Sequence, residues 1–342
     1  MNIREAIAKL VAGKDLGQGE MTEVMMDIMT GETTDAQNGG FLVGLQAKGV
    51  TAEEILGAAN VMRELSTKVA VDPHPNLVDT CGTGGSGSNT FNVSTAAALV
   101  AACAGAVVAK HGNRGATSKS GSADVLEAAG VNLALDAGQV AQIIASVGVG
   151  FMFAPAHHSA MRHVITARKE IGVRSIFNLL GPLTNPAGAV NQVMGVFDAA
   201  WIPVLLEVHR DLGNEHVLLV HSDDGLDEIS ISADTQVGEL CDGEVSVYKV
   251  APEDFGISRY PDYSSLQVNS AAESLALIHQ AFAGQHQCAA DIIALNAGAA
   301  IYAANVAGSL ADGVSRAREV LASGSAQAKL DELVASTQAF SN

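Results

Sequence analysis

The sequence predicts an α/β protein: a mainly parallel central sheet flanked by helices, with a smaller all-helical domain. Three features carry this. From residue 76 onward, short and continuously apolar runs alternate with helical stretches, the composition of strands covered by helices on both faces. The first 70 residues instead repeat apolar positions at three and four, without a strand-like run. Between them DPHPN, residues 72–76, is a proline-rich break. The expected domains are therefore 1–70, joined by part of 170–190, and 75–342.

The helical domain reads as IREAIAKLVAG, GEMTEVMMDIMTG, DAQNGGFLVGLQAKG and TAEEILGAANVMREL, the last opened by a capping box from Thr51 to Glu54. Met21, Met25 and Met29 fall on one helical face and are expected in the core or at a dimer contact. In the second domain NLVDT, AVVAKHG, VNLAL and VGFMFAP read as strands. STAAALVAACAG, SADVLEAAG, DAGQVAQIIASVG and HHSAMRHVITARKEIG read as the helices between and after them. SIFNLLGPLTNPAG, with two prolines, is an ordered connection to VNQVMGVFD, the helix WIPVLLEVHRDLG and the strand HVLLVHS. EISISADTQVGELCDGEVSVYKV reads as short antiparallel strands turning at Asp242-Gly243. Helices over 270–283, 289–307 and 311–339 finish the chain.

Composition narrows the function. Of 342 residues 48 % are hydrophobic and 16 % charged, and the net charge is −18 with 19 Lys and Arg, so general affinity for nucleic acid or an anionic membrane is not expected. Cys81, Cys103, Cys241 and Cys288 form no C-x-x-C pair, and the start of the chain carries acids in place of a long apolar run. Both suit reduced thiols in a cytoplasmic protein.

GTGGSG, residues 82–87, follows a strand and precedes a helix, and it satisfies the G-x-G-x-x-G pattern of a dinucleotide-binding turn. That reading needs an acid at the end of the second strand, where this chain has Lys110, His111 and Asn113; nor is there a Lys in P-loop position. What survives is an anion cradle of backbone N–H groups beside a helix N-terminus near 92–95. The second turn, KHGNRGATSKSGSAD, adds Lys110, Arg114 and Lys119. Two glycine-rich turns at adjacent strand ends, one of them basic, suit a ligand with two phosphate groups. Further on, HSDDGLDEIS offers Asp223, Asp224, Asp227 and Glu228, hard carboxylates of the kind that hold Mg2+ at a polyphosphate, or else a solvated acidic loop.

Taken in order, GTGGSGSNTFNVSTAAA, KHGNRGATSKSGSADVLEAAGV, SAMRHVITARKEIGVRSIFNLLGPLTNPA and GLDEIS resemble the sequence blocks of the anthranilate phosphoribosyltransferase family, over most of the chain. The resemblance implies a nucleoside phosphorylase-like phosphoribosyltransferase architecture, with a cleft between the domains and a homodimer formed through the helical ones. It implies transfer of the phosphoribosyl group of 5-phosphoribosyl-1-pyrophosphate (PRPP) to anthranilate, releasing pyrophosphate, in tryptophan biosynthesis. By the same resemblance Gly82, Thr83, Gly84 and Gly85 match the pyrophosphate loop. Thr90, Asn92, Val93, Ser94 and Thr95 match the PRPP segment after it, and Lys110, His111, Gly112, Asn113 and Ser122 match the second phosphate-binding turn. Ser94, Asp227 and Glu228 match ligands of Mg2+, two ions per monomer. Gly82, Asn113, His158, Arg168 and Pro182 match the anthranilate route. One position departs: Ser86 stands where the family commonly has Asp.

Arg168 suits a carboxylate because guanidinium meets it with two parallel hydrogen bonds. His157 and His158 lack a third soft ligand nearby and read as satisfied or substrate-lining. Electrostatic roles fall to Lys110, Asp227 and Glu228, since pyrophosphate departure develops charge and anthranilate is already a neutral amine that needs no strong general base. A pyrimidine-nucleoside phosphorylase-like enzyme would need only inorganic phosphate, which the paired acids argue against. A non-catalytic nucleic-acid-binding relative would need a basic face.

Overall fold

The computed structural model describes residues 1–115 and 118–340. Ala116 and Thr117, inside the second glycine-rich turn, lie outside the described residues. Four helices come first: α1 (Ile3–Val11), α2 (Gln18–Thr30), α3 (Asp35–Lys48) and α4 (Ala52–Leu65). The expected Thr51–Glu54 box forms, the hydroxyl accepting from Glu54 N at 3.3 Å and the carboxylate from Thr51 N at 2.9 Å. Glu54 is buried and also accepts from Leu16 N–H and Lys48 Nζ, so one carboxylate ties α3 to α4. Met21, Met25 and Met29 are core residues.

The sheet contains β1 (Leu77–Gly82), β2 (Val107–Gly112), β3 (Val149–Phe153), β4 (Asn191–Gly195), β5 (His216–Ser222), β6 (Thr235–Cys241) and β7 (Glu244–Val250). Their spatial order is β3-β2-β1-β4-β5-β6-β7, parallel through β5 and antiparallel at β6 and β7. The intervening helices are α5 (Val93–Cys103), α6 (Ser122–Ala128), α7 (Ala137–Val147), α8 (Ala154–His157), α9 (Ile165–Ile171), α10 (Phe177–Leu180) and α11 (Trp201–Asp211). The chain ends in α12 (Ala271–Phe282), α13 (Gln287–Ala303), α14 (Leu310–Ser323) and α15 (Ser325–Gln338).

Alternation along β5 divides the core. Leu218 and Val220 pack with α5, α13 and α15, while Val217 and Leu219 pack with α11, with Ile176, Phe177, Leu180 and Leu183, and with the Met-rich core of α1–α4. The segment 164–183 thus shares a core with the N-terminal helices.

Three sequence expectations are corrected. VNLAL, 131–135, forms no strand and does not pair with the sheet; Asn132 N–H bonds Thr337 Oγ1 of α15 instead. The helix expected over 311–339 is two, broken where Gly324 takes φ 74°. The helix expected from His157 to Gly172 is interrupted, because His158 and Val164 leave helical geometry. His157 O is drawn away to accept from Thr67 N–H.

Candidate phosphoribosyl-transfer site

In an open parallel sheet, ligands bind beyond the strand C-termini where the winding reverses. Here that point lies between β1 and β4, and the GTGG loop begins there. Thr83 N–H donates to Gly195 O at 2.9 Å, and Thr83 Oγ1 accepts from Phe197 N–H at 3.0 Å, so the loop is fixed to the end of β4. Asp227 packs into the same corner. A Cβ on Gly195 would lie 1.8 Å from Asp227 O, so only glycine lets the acidic loop approach.

Gly84, Gly85 and Gly87 take φ of 63°, 84° and 74°, conformations that side chains disfavour. Arg174 covers the turn: its Nη2 donates to Gly85 O at 2.7 Å and its guanidinium lies 4.4 Å from the centre of the Phe197 ring. Ser86, Ser88 and Thr90 form a hydroxyl chain with spacings of 3.1 and 3.3 Å. The loop's far limb is pinned at 266–268, where Gln267 Nε2 donates to Ser88 O at 2.9 Å.

The charged groups converge on the first turn of α5. Lys110, buried on β2, donates through Nζ to Thr80 O and, at 3.2 Å, to Ser94 Oγ. The Ser94 N–H faces the Glu228 carboxyl. Although Glu228 as a residue is half-buried, its carboxyl end is sheltered; lost solvation and the neighbouring Asp227 charge push it up to about 8, against the pull of Lys110 and Ser94 N–H. Burial lowers the Lys110 pKa, while Asp79, Cys81 and Glu228 oppose that shift. Asp79 is fully buried, accepts from His111 N–H at 3.0 Å and Gln192 Nε2 at 3.3 Å, and is raised by burial.

Only two of the four acids of the HSDDGLDEIS loop are available to a ligand. Asp223 pairs with Lys249 at 2.7 Å, and Asp224 accepts from the Ser230 and Ser232 hydroxyls at 2.6 Å each. Asn296 of α13 clamps Ile229 through both its N–H and its C=O, which presents Asp227 and Glu228 to the glycine loop. Adjacent carboxylates plus the Ser94 hydroxyl are hard oxygen donors, and burial beside Asp227 leaves a charged form of Glu228 that the protein alone does not stabilise. The set fits Mg2+.

At the second turn, Thr95 Oγ1 donates to Ser122 Oγ at 3.1 Å, and Asn113 O accepts from Ala123 N–H at 3.2 Å. Asn92 joins the two turns, its Oδ1 accepting from Ser120 and Ser274 and its Nδ2 donating to Ser120 O. Its amide is thereby committed within the protein. Arg114, expected as a phosphate cation, is instead paired with Asp124 at 3.1 Å and Glu127 at 2.7 Å. Lys119 is exposed.

The His111 and His158 rings are 5.1 Å apart. Burial lowers His111 to about 3 and His158 to about 4, so both are neutral near pH 7. The backbone of the 181–184 turn faces both rings, at Gly181 and Thr184 respectively, and each Nε2 is buried without a partner among the described residues. Pro182 O accepts from Gln192 Nε2 at 2.8 Å. His157 is satisfied by Thr67 O at 3.1 Å. Arg168 lies over the Phe177 ring at 5.0 Å and pairs with no acid among the described residues. No hydrogen bond or ion pair among the described residues joins it to the histidines.

Asp79, Gln192, Arg174 and Gly195 escaped the sequence reading. An acid inside an otherwise buried strand was the signal for Asp79; the other three are legible only once β1 and β4 are known to be neighbours.

Residues 74–327 match the family described as glycosyl transferase family, a/b domain, and residues 4–66 its helical bundle domain. The anthranilate phosphoribosyltransferase of Alkalilimnicola ehrlichii is 58 % identical over 338 residues, 99 % of each chain. That of Saccharophagus degradans is 59 % identical over 338 residues, 98 % of each. The crystal structure of the Thermus thermophilus enzyme superposes with a TM-score of 0.91 at 43 % identity, over 97 % of this chain and 99 % of that one. The Saccharomyces cerevisiae enzyme in complex with PRPP and Mg superposes at 0.89 with 25 % identity, covering 98 % of each. Over nearly its whole length, the chain belongs to the anthranilate phosphoribosyltransferase family.

Proposed function

We propose that the protein transfers the phosphoribosyl group of PRPP to the amine of anthranilate, a step of tryptophan biosynthesis. The bond from ribose C1 to the pyrophosphate oxygen breaks with its electron pair leaving on oxygen. The anthranilate nitrogen bonds to C1 and sheds a proton. The observation that carries this reading is the convergence of Lys110, Ser94 and Glu228 beside a glycine loop at the β1/β4 reversal.

In this reading Gly82–Gly85 amides and the α5 N-terminus receive the pyrophosphate, and Lys110 stabilises the departing charge from beneath. Asn113 and Ser122 take the second phosphate group. Asp227, Glu228 and Ser94 would hold Mg2+, two ions per monomer; when bound, the metal neutralises pyrophosphate charge. His111 and His158 line the acceptor side without adding charge, and Arg168, free of acidic partners among the described residues and backed by Phe177, receives the anthranilate carboxylate. Residues 1–70 with part of 170–190 form the helical domain, through which two copies pair; exposed Val11 on α1 (76 %) and Val43 on α3 (46 %) support that. No helix among the described residues is long and apolar enough to cross a membrane, which accords with a cytoplasmic enzyme.

Loss of anthranilate fluorescence on mixing protein, Mg2+, PRPP and anthranilate tests the proposal. Loss that requires both Mg2+ and PRPP is expected. Unchanged fluorescence with folded protein would refute it.

A further inference from the structure

At the end of the sheet away from the donor site, His216 opens β5 and Cys241 closes β6, and the two are direct cross-strand partners. Glu239 lies two positions before Cys241 and so faces the same side of the sheet. A ring nitrogen of His216, a carboxylate oxygen of Glu239 and the Cys241 sulfur all lie within 4.8 Å of one another. His216 and Glu239 are buried, while Cys241 is half-buried and leaves the cluster open to solvent on one side.

The groups around these three hold them in place. His216 Nδ1 lies 2.9 Å from Asn305 Oδ1; in the tautomer that donates from Nδ1, the Nε2 lone pair faces Glu239 Oε1, 3.3 Å away. Tyr302 donates to the same carboxylate at 2.7 Å and Tyr248 at 2.8 Å, and the Tyr302 ring meets His216 edge-on at 4.6 Å. A lone pair facing a carboxylate oxygen requires positive charge between them, either a proton or a metal ion. A proton would satisfy His216 and Glu239 alone; the thiol is the third donor that a metal would use. Fixing the histidine tautomer and the carboxylate through outer hydrogen bonds is how proteins orient metal ligands.

We propose that His216, Glu239 and Cys241 bind a divalent ion of the zinc type, with water completing a tetrahedral site from the Cys241 side. The nitrogen, oxygen and sulfur set favours such an ion over Mg2+ or Ca2+, which take oxygen ligands. Binding releases the thiol proton to solvent, and the carboxylate and thiolate then balance the ion's two charges. The site joins β5, β6 and the end of α13, and it is independent of PRPP and Mg2+.

Co2+ added to the full-length protein, without PRPP or Mg2+, supplies the test. The expected result is a sulfur-to-cobalt charge-transfer absorption that saturates at one ion per chain and is displaced by Zn2+. Cys241→Ser should abolish it. Asn305→Gly, which retains the left-handed backbone at φ 56°, should weaken Co2+ binding about 10- to 100-fold. No absorption in the parent at stoichiometric Co2+ would mean that a proton alone bridges His216 and Glu239, overturning the proposal. So would an absorption that survives Cys241→Ser, or a Co2+ affinity that Asn305→Gly leaves unchanged.

Discussion

Lys110 Nζ stands 3.2 Å from Ser94 Oγ, so the buried cation of β2 is tied to the first turn of α5. The Ser94 N–H also faces the Glu228 carboxyl and favours its charged form. One serine therefore joins the cation that would meet the leaving group to the acid that would meet its metal, and it sits at a helix terminus that already favours anions.

If Asp227 and Glu228 hold metal at the pyrophosphate, Asp227→Asn combined with Glu228→Gln should reduce turnover by more than about 100-fold. Thermal stability should hold, because Asn and Gln keep the size and polarity of the acids and bring no charge into a sheltered corner. Anthranilate binding should hardly change. Near-parental turnover at low Mg2+ would take these acids out of the mechanism.

If Arg168 receives the anthranilate carboxylate, Arg168→Ala removes a charge-assisted pair worth about 1.5–3 kcal/mol, which corresponds to a rise in KM for anthranilate of roughly 10- to 150-fold. KM for PRPP should move little. Equal shifts in both constants would assign Arg168 to support of Phe177 and the surrounding turn.

Ser86→Asp places a carboxylate in the loop proposed to receive pyrophosphate, in place of a hydroxyl that now bonds Ser88. That is unfavourable unless a cation lies between. KM for PRPP should then depend more steeply on Mg2+, weaker than the parent at low metal and approaching it at high metal. Superimposable Mg2+ titrations would show that position 86 only shapes the turn.

His209 on α11 is fully buried and burial lowers it to about 4; His111 and His158 stand at about 3 and 4. Unfolded histidine takes its proton near pH 6.5, whereas these three stay neutral in the folded protein. Below that pH the unfolded state binds more protons, so stability should fall from about pH 6.5 down to about pH 4, by roughly 1–2 kcal/mol per histidine between pH 7 and 5. His209→Leu, remote from the proposed site, should flatten the fall in midpoint temperature over this range. An unchanged slope would mean that His209 is protonated when folded.

The alternation of strand and helix was legible because the strands are continuously apolar and their helices periodic. VNLAL shows the limit: a short apolar run packs equally well against a helix, and only the Asn132 bond to Thr337 of α15 reveals which partner it took. Gly324 broke the last helix where periodicity continued across it. In the site, the glycine loops and the acidic pair stand out in sequence because their residue types suit the chemistry. That Arg114 is consumed by Asp124 and Glu127, and Asp223 by Lys249, depends on distant or helical partners that residue type alone does not reveal. Arg174, far in sequence from Gly85, became visible only through the fold.

The central claim is that the β1/β4 corner holds PRPP for attack by anthranilate, and the stoichiometry of the reaction tests it most directly. Pyrophosphate release and anthranilate loss are followed together in the presence of Mg2+. One pyrophosphate per anthranilate consumed is expected, and none when anthranilate is omitted. Pyrophosphate release that proceeds equally without anthranilate, or anthranilate loss without pyrophosphate, would contradict it.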